Sequence, residues 1–133
     1  MLLPEIDRTN EAFWTGGRDG HLLINRCSSC RTWVHPPVPY CSACGGRDVR
    51  AEPVSGRGEV YCYTLNHMAW IAGDDAWQRV LALVELDEQP GLRVLTNIVD
   101  CDEEELRCGL PVEVSFHEVE DVHLPVFRPR RRA

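Results

Sequence analysis

Two cysteine pairs carry the strongest chemical signal in this sequence of 133 residues. Cys27 and Cys30 are separated by two residues, and after ten intervening residues Cys41 and Cys44 repeat that spacing. Each pair can turn two thiolates toward one ion, and two pairs supply the four ligands of a tetrahedral zinc. A shell of four thiolates leaves no position for water or substrate. The sequence therefore predicts one zinc ion with a structural role, not a catalytic one.

Two disulfides, or two redox-active pairs, are the alternative interpretations of the same cysteines. The chain begins without the basic stretch and apolar run of a secretory signal, and it contains no run of eighteen apolar residues. These features favour a soluble, cytoplasmic protein with no membrane contact, and disulfides do not persist in that compartment. A thioredoxin-like redox motif would also occur once, in a βαβ unit. The other cysteines, Cys62, Cys101 and Cys108, are expected to be reduced thiols.

No constellation of catalytic residues stands out elsewhere in the sequence. None of the histidines lies in a hydrolase or zinc-protease motif; they are His21, His35, His67, His117 and His123. His35 is expected at the surface or beside the metal rather than on it, because four cysteines complete the shell. The acidic run 102–105 lacks the loop spacing of a calcium site, and Gly56-Arg57-Gly58 lacks the helix that follows a phosphate-binding loop. We therefore predict no catalytic residues, and the sequence assigns no residue to cofactor binding.

The chain is long enough for one compact domain plus a small module. Short secondary-structure elements must position the cysteines within that module. The pattern predicts a short helical segment within residues 4–16, followed by a strand over 21–26 that leads into the first cysteine pair. Phe13 and Trp14 on the helix pack either on the chain's own core or on a partner subunit. The segment 31–40 contains three prolines, so we expect an irregular finger there.

The second half of the chain reads as a β barrel. Apolar and β-branched runs occur at 58–65, 79–86, 92–99, 111–116 and 123–127. The run 79–86 is nearly continuous in apolar residues, which is typical of a buried strand. An acid-loaded helical turn is expected at 100–106, between the third and fourth strands. Five short strands in this arrangement predict a Greek-key barrel of the OB type.

The chain is thus predicted to be mainly β, in four parts. These are an N-terminal helical segment (1–20), a four-cysteine ribbon (21–50), a five-stranded OB barrel (51–127) and a basic tail (128–133). The barrel loop at 66–77 carries two tryptophans and a methionine. Such a loop packs either on a ligand or partner, or as a lid over the barrel's own core.

The net charge of -7 is unevenly distributed. Residues 1–58 hold seven Arg against six acids, residues 59–127 hold three against fifteen, and residues 128–133 hold four against none. Ribbons and OB barrels commonly bind single-stranded nucleic acid, which is one functional class to consider. The acidic barrel would repel a phosphate backbone, so we predict no nucleic-acid partner.

The order of helix, ribbon and barrel resembles the DUF35 family over nearly the whole chain. The resemblance rests on Phe13-Trp14, on the cysteine pairs around Val34-His35-Pro36-Pro37, and on the strand 58–64. It continues through 83–86, 95–100, 109–114 and 124–129. DUF35 proteins are OB-fold proteins with a rubredoxin-like zinc ribbon that accompany thiolases and other acyl-CoA enzymes.

The resemblance implies a non-catalytic accessory subunit in a hetero-oligomeric lyase or acyltransferase complex of lipid metabolism. The partner would be a thiolase-fold subunit, such as a condensing enzyme or a lipid-transfer-protein-like aldolase of steroid degradation, or else an acyl-CoA hydratase subunit. An acyl-CoA thioester is a further possible ligand, and the tail from Arg128 to Arg132 either meets CoA phosphates or is a disordered end. Only the four paired cysteines are carried over as site residues. A self-contained acyl-CoA hydrolase or transferase remains an alternative.

Overall fold

The computed structural model describes residues 3–66 and 78–131. One short α-helix, α1 (Glu11–Thr15), and a 3-10 helix (Gly16–Asp19) precede a three-stranded and a five-stranded sheet. The strands are β1 (Leu23–Cys27), β2 (Trp33–Val34), β3 (Val49–Pro53), β4 (Arg57–Leu65), β5 (Val80–Leu86), β6 (Arg93–Asn97), β7 (Pro111–Val119) and β8 (Val122–Pro129). The predicted fold class is confirmed. Within the described ranges no helix is long and apolar enough to cross a membrane.

The helix α1 lies within the predicted segment 4–16 and occupies its second half, with Asn10 as N-cap and Gly16 as C-cap. The carboxylate of Asp7 accepts hydrogen bonds from the backbone N–H groups of Thr9 and Asn10, at 2.8 and 2.9 Å, and holds this segment in a turn. Local side-chain bonds of this kind compete with helix formation, so α1 begins only at Glu11. Phe13 is buried in the protein's own core, and its ring lies 4.7 Å from that of Trp14.

The three-stranded ribbon sheet has the order β2-β1-β3 and is antiparallel. The expectation of an irregular finger is wrong at Trp33 and Val34, which pair with Arg26 and Asn25. Both residues precede the first proline and keep their backbone N–H groups, so they can enter a ladder. Strand β3 was not predicted at all. It pairs with β1 along its whole length, but its side chains are largely exposed and give no apolar alternation.

The five-stranded sheet has the order β6-β5-β4-β7-β8 and curls until its two edges meet. There Ile98 forms an isolated parallel bridge with Phe127, whose carbonyl accepts a hydrogen bond from Val99 at 2.8 Å. Thr96, a buried polar residue of β6, donates its hydroxyl to the Pro125 carbonyl at 3.0 Å. These bonds nearly close the predicted barrel.

The ribbon and the barrel share one hydrophobic core. Leu22, Ile24 and Trp33 of the ribbon belong to the same buried cluster as barrel residues such as Val84. Gln89, in the turn between β5 and β6, reinforces this junction. Its amide oxygen accepts from the Trp33 N–H at 3.0 Å, and its amide nitrogen donates to the Trp33 carbonyl at 3.2 Å. The ribbon that carries the paired cysteines is therefore anchored to the barrel by packing and by hydrogen bonds.

Strand β5 is buried on one face only, although its composition predicts a fully buried strand. Every second residue is buried, from Val80 to Leu86. Leu81 between them is 40% exposed, and Leu83 is half-buried. The antiparallel sheet packs one face on the core and leaves these two leucines on the outer one.

Candidate metal centre

The four paired cysteines come together at one end of the ribbon sheet. Their sulfur atoms all lie within 4.8 Å of one another. The Sγ atoms of Cys27 and Cys44 are 3.6 Å apart, as are those of Cys30 and Cys41. A tetrahedral zinc with Zn–S bonds of about 2.3 Å requires S–S separations of about 3.8 Å, whereas a disulfide requires about 2.05 Å. The arrangement therefore fits one zinc ion and excludes disulfides between these atoms.

Both cysteine pairs sit in turns with the same backbone pattern. In the first turn the Arg31 N–H donates to the Cys27 carbonyl at 2.9 Å, and in the second the Gly45 N–H donates to the Cys41 carbonyl at 2.8 Å. Arg31 and Gly45 both adopt the left-handed conformation, with φ of 64° and 75°. Glycine accommodates this conformation without strain. The Gly46 N–H then points at Cys44 Sγ, at 3.4 Å. The repeated turn explains how the repeated spacing aims four sulfurs at one point.

The pKa values of the thiols are shifted in opposite directions. The pKa of Cys30 is lowered to about 6, chiefly by the Thr32 hydroxyl 3.2 Å away and also by the Thr32 backbone. The Gly46 N–H favours the Cys44 thiolate, but the neighbouring thiols Cys30 and Cys27 disfavour it and raise the pKa of Cys44 to about 12. Four thiolates at this distance repel one another. A divalent cation offsets that repulsion, because coordinated thiols are deprotonated.

Other candidate residues lie away from the cluster. The His35 ring packs against the Phe13 ring in a tilted arrangement, with the centroids 4.8 Å apart, and burial lowers the pKa of His35 to about 4. The neutral imidazole packs on the core, and His35 is not among the residues clustered for metal binding, so a place beside the metal stays a prediction. All seven cysteines are among the described residues and are free, so Cys62, Cys101 and Cys108 are the predicted thiols.

Two ion pairs hold the acidic run, and one of them joins it to the basic tail. Arg131 makes two hydrogen bonds to the Glu105 carboxylate, at 2.8 and 3.2 Å, and Arg79 pairs with Glu103. Arg128 lies within β8, 3.3 Å from Glu113. A contact between the tail and CoA phosphates thus stays a prediction, and it would compete with these acids. The loop 66–77, predicted to pack on a ligand or partner or to form a lid over the barrel core, lies outside the described residues from position 67 onward.

Comparison with known proteins follows the same division of the chain. Residues 14–50 match the family model described as the rubredoxin-like zinc ribbon domain of ChsH2, and residues 51–117 match that of the ChsH2 C-terminal OB-fold domain. A DUF35 domain-containing scaffold protein of Methanocaldococcus jannaschii is 32% identical over 81% of this chain and 77% of its own. The chain belongs to the DUF35 family.

Two further comparisons place this DUF35 chain beside acyl-CoA enzymes. A probable enoyl-CoA hydratase alpha subunit of Thermomonospora curvata is 36% identical over 95% of the chain, which spans only 39% of that relative. The solved Ltp2-ChsH2(DUF35) aldolase contains a chain that is 38% identical, with a TM-score of 0.81 and coverage of 96% of this chain and 98% of that one. The resemblance seen in the sequence is confirmed.

Sequence reasoning does not identify two residues that shape the site. Thr32 contacts Cys30 through its hydroxyl, and Arg31 closes the first turn in a conformation that rarely suits a side chain. A signal for Arg31 is available by analogy, because Gly45 occupies the same position after the second pair. Thr32 carries no such signal, since a hydroxyl one residue after a turn is common in any loop.

Proposed function

We propose that this chain is a non-catalytic accessory subunit of an acyl-CoA-processing enzyme complex. The observation that carries the proposal is a closed four-sulfur site in a ribbon-and-barrel chain that is similar to the DUF35 chain of a solved aldolase. Such a site has no coordination position for substrate. The subunit contributes shape and contacts, and a larger partner supplies the catalytic groups.

One structural zinc ion is the proposed cofactor, held by Cys27, Cys30, Cys41 and Cys44. The sulfur separations and the match to a zinc ribbon model support this assignment. When bound, zinc supplies coordination bonds that tie the two cysteine turns together. The residues themselves orient those bonds through the Arg31, Gly45 and Gly46 backbone N–H groups.

A thiolase-fold, lipid-transfer-protein-like subunit is the first candidate for the partner, and a hydratase subunit is the second. The likeness to the DUF35 chain of the aldolase supports the first, and two hydratase alpha subunits among the relatives support the second. The relative in Mycobacterium tuberculosis is a 3-oxo-4,17-pregnadiene-20-carboxyl-CoA hydratase alpha subunit, 30% identical over 97% of this chain and 40% of its own length. Steroid and other lipid acyl-CoA thioesters are therefore the proposed substrate class of the complex. We place the complex in the cytoplasm, in keeping with seven free cysteines.

Co-purification tests the proposal. The chain, tagged and expressed in its source organism at native level, is expected to bring down a thiolase-fold or hydratase subunit in a fixed ratio, identified by mass spectrometry. A tag-only purification is the control. Recovery of the chain alone, or bound to nucleic acid that nuclease treatment releases, would contradict the proposal.

A further inference from the structure

An apolar face lies on the outside of the five-stranded sheet. Leu95, Tyr61 and Leu81 are 64%, 48% and 40% exposed, and the half-buried Leu83 lies beside them. Leu83 pairs directly with Leu95 on β6, so their side chains are neighbours on one surface. These four residues form what we call the outer apolar face. Among the described residues, three of the six exposed large hydrophobic side chains lie on it, which is a concentration typical of an interaction site.

The outer apolar face is not flat: it has a ridge between two grooves. Leu95 stands between two open grooves of about 550 and about 300 Å³. Trp14 lines both grooves; the larger also contains Phe13, His35 and Leu83, and the smaller also contains Leu124 and Pro125. A small ligand would occupy one concavity and leave the ridge bare. A folded protein surface can fill both grooves and cover Leu95 between them, so the relief favours a protein partner.

The polar side chains at one end of the face are already held in place before any partner binds. The Arg93 guanidinium lies over the Tyr61 ring, 3.7 Å from its centroid, and its Nε is 3.2 Å from the Glu85 carboxylate. The same carboxylate oxygen accepts the Gly91 N–H at 3.1 Å. Side chains held in this way lose little conformational freedom on binding. Tyrosine and arginine are also the residue types that most often dominate binding energy.

The charge around the face restricts what can bind there. Residues 100–107 carry five acids and one arginine, and the ion pair between Glu103 and Arg79 places this run next to the start of β5. Arg79 and Arg131 offset two of these acids, and the cluster keeps a net negative charge. At the other end of the face, Glu59 is exposed opposite Glu85. A second copy would bring another net charge of -7, and nucleic acid would bring phosphates, so both are repelled. An occupant with basic residues at its rim is attracted.

We infer that the outer apolar face docks the enzyme partner, through a patch on that partner that is apolar at its centre and rich in arginine or lysine at its rim. The inference rests on the proposed function for the existence of the partner. Of the two aromatic residues for which the sequence left core and partner open, Phe13 belongs to the chain's own core, whereas Trp14 is only partly buried and lines both grooves.

Matched substitutions test the docking surface. The probe is the enzyme subunit that co-purifies with the tagged chain, prepared separately and titrated by calorimetry. Leu95→Glu is expected to raise its Kd by at least about 30-fold, because a carboxylate would be desolvated at the centre of the interface. Tyr40→Glu is the control: Tyr40 is 51% exposed but lies on the finger, outside the face. We expect its Kd to stay within about threefold of the wild type.

A second variant addresses the charge argument. Glu104 is exposed in the acidic run, and Glu104→Arg is expected to slow association and to weaken its dependence on salt. Zinc content and thermal unfolding of each variant should match the wild type, since the altered side chains are exposed.

Each outcome of the titration decides the matter. Unchanged affinity of Leu95→Glu would overturn the docking surface while the proposed function stands. If Tyr40→Glu lost binding and Leu95→Glu did not, the partner would bind at the finger and not at the outer apolar face. If sedimentation showed a wild-type dimer that Leu95→Glu converts to a monomer, the occupant would be a second copy and the inference would be wrong. If no acyl-CoA enzyme co-purifies, the proposed function fails first and the inference falls with it.

Discussion

Cys41→Ser is expected to abolish stoichiometric zinc binding and to unfold the ribbon. Cys41 is fully buried and lies in the small hydrophobic cluster around the site, with Cys27 and Val34. Structural zinc contributes about 10–16 kcal/mol of apparent binding free energy in zinc-finger peptides, and a whole domain is stable by only about 5–15 kcal/mol. Since Ile24 and Trp33 of the ribbon also pack in the barrel core, the barrel should unfold at a lower temperature as well.

Metal analysis and thermal unfolding of purified protein measure this result. Cys108→Ser is the matched control, because Cys108 is an exposed free thiol outside the four-sulfur cluster. The Cys108→Ser protein should keep one zinc per chain and the wild-type Tm. Treating the wild type with a chelator should remove its zinc and lower its Tm, as Cys41→Ser does. Full zinc content together with an unchanged Tm in Cys41→Ser would show that the metal site is misassigned.

Phe127→Ala is expected to cost about 3–5 kcal/mol of unfolding free energy, as large-to-small changes of buried aromatics do. The ring is fully buried, and the residue sits where the two edges of the barrel sheet meet at Ile98. Urea denaturation followed by fluorescence provides the measurement. Leu95→Ala, at a site 64% exposed, should change the same free energy by no more than about 0.5 kcal/mol.

The two large predictions are separable by zinc content. The Phe127→Ala protein should still bind one zinc per chain under conditions where it is folded, because its side chain is remote in sequence from the four cysteines and belongs to the barrel core. A loss of less than about 1 kcal/mol would mean that the barrel does not close around Phe127.

The metal site is predictable from sequence because its geometry is local. Two turns with the same spacing produce the same hydrogen bonds, and only the meeting of the turns depends on the rest of the fold. The barrel strands β4 to β8 are likewise visible as apolar runs bounded by turns. Strand β3 is not visible, because it is held by backbone pairing to β1 and buries few side chains.

Features that depend on distant contacts escape sequence reasoning. Gln89 reads as an ordinary turn residue, yet its side chain bonds both backbone groups of Trp33, fifty-six positions away. The length of α1 depends on whether Asp7 bonds the backbone locally, which composition does not determine. Strand β5 shows the clearest difference between predicted and observed burial. Its apolar run predicts burial, but Leu81 and Leu83 face outward, where they form part of the docking surface inferred above.

Reconstituted turnover tests the central claim most directly. The partner recovered by co-purification is prepared without this chain, and its acyl-CoA substrate is assayed with the chain alone, the partner alone, and the two mixed at increasing ratio. We expect no turnover from the chain alone and a rise in partner activity that saturates at a fixed ratio. Turnover by the chain alone, abolished by a point substitution within it, would contradict the assignment as a non-catalytic subunit.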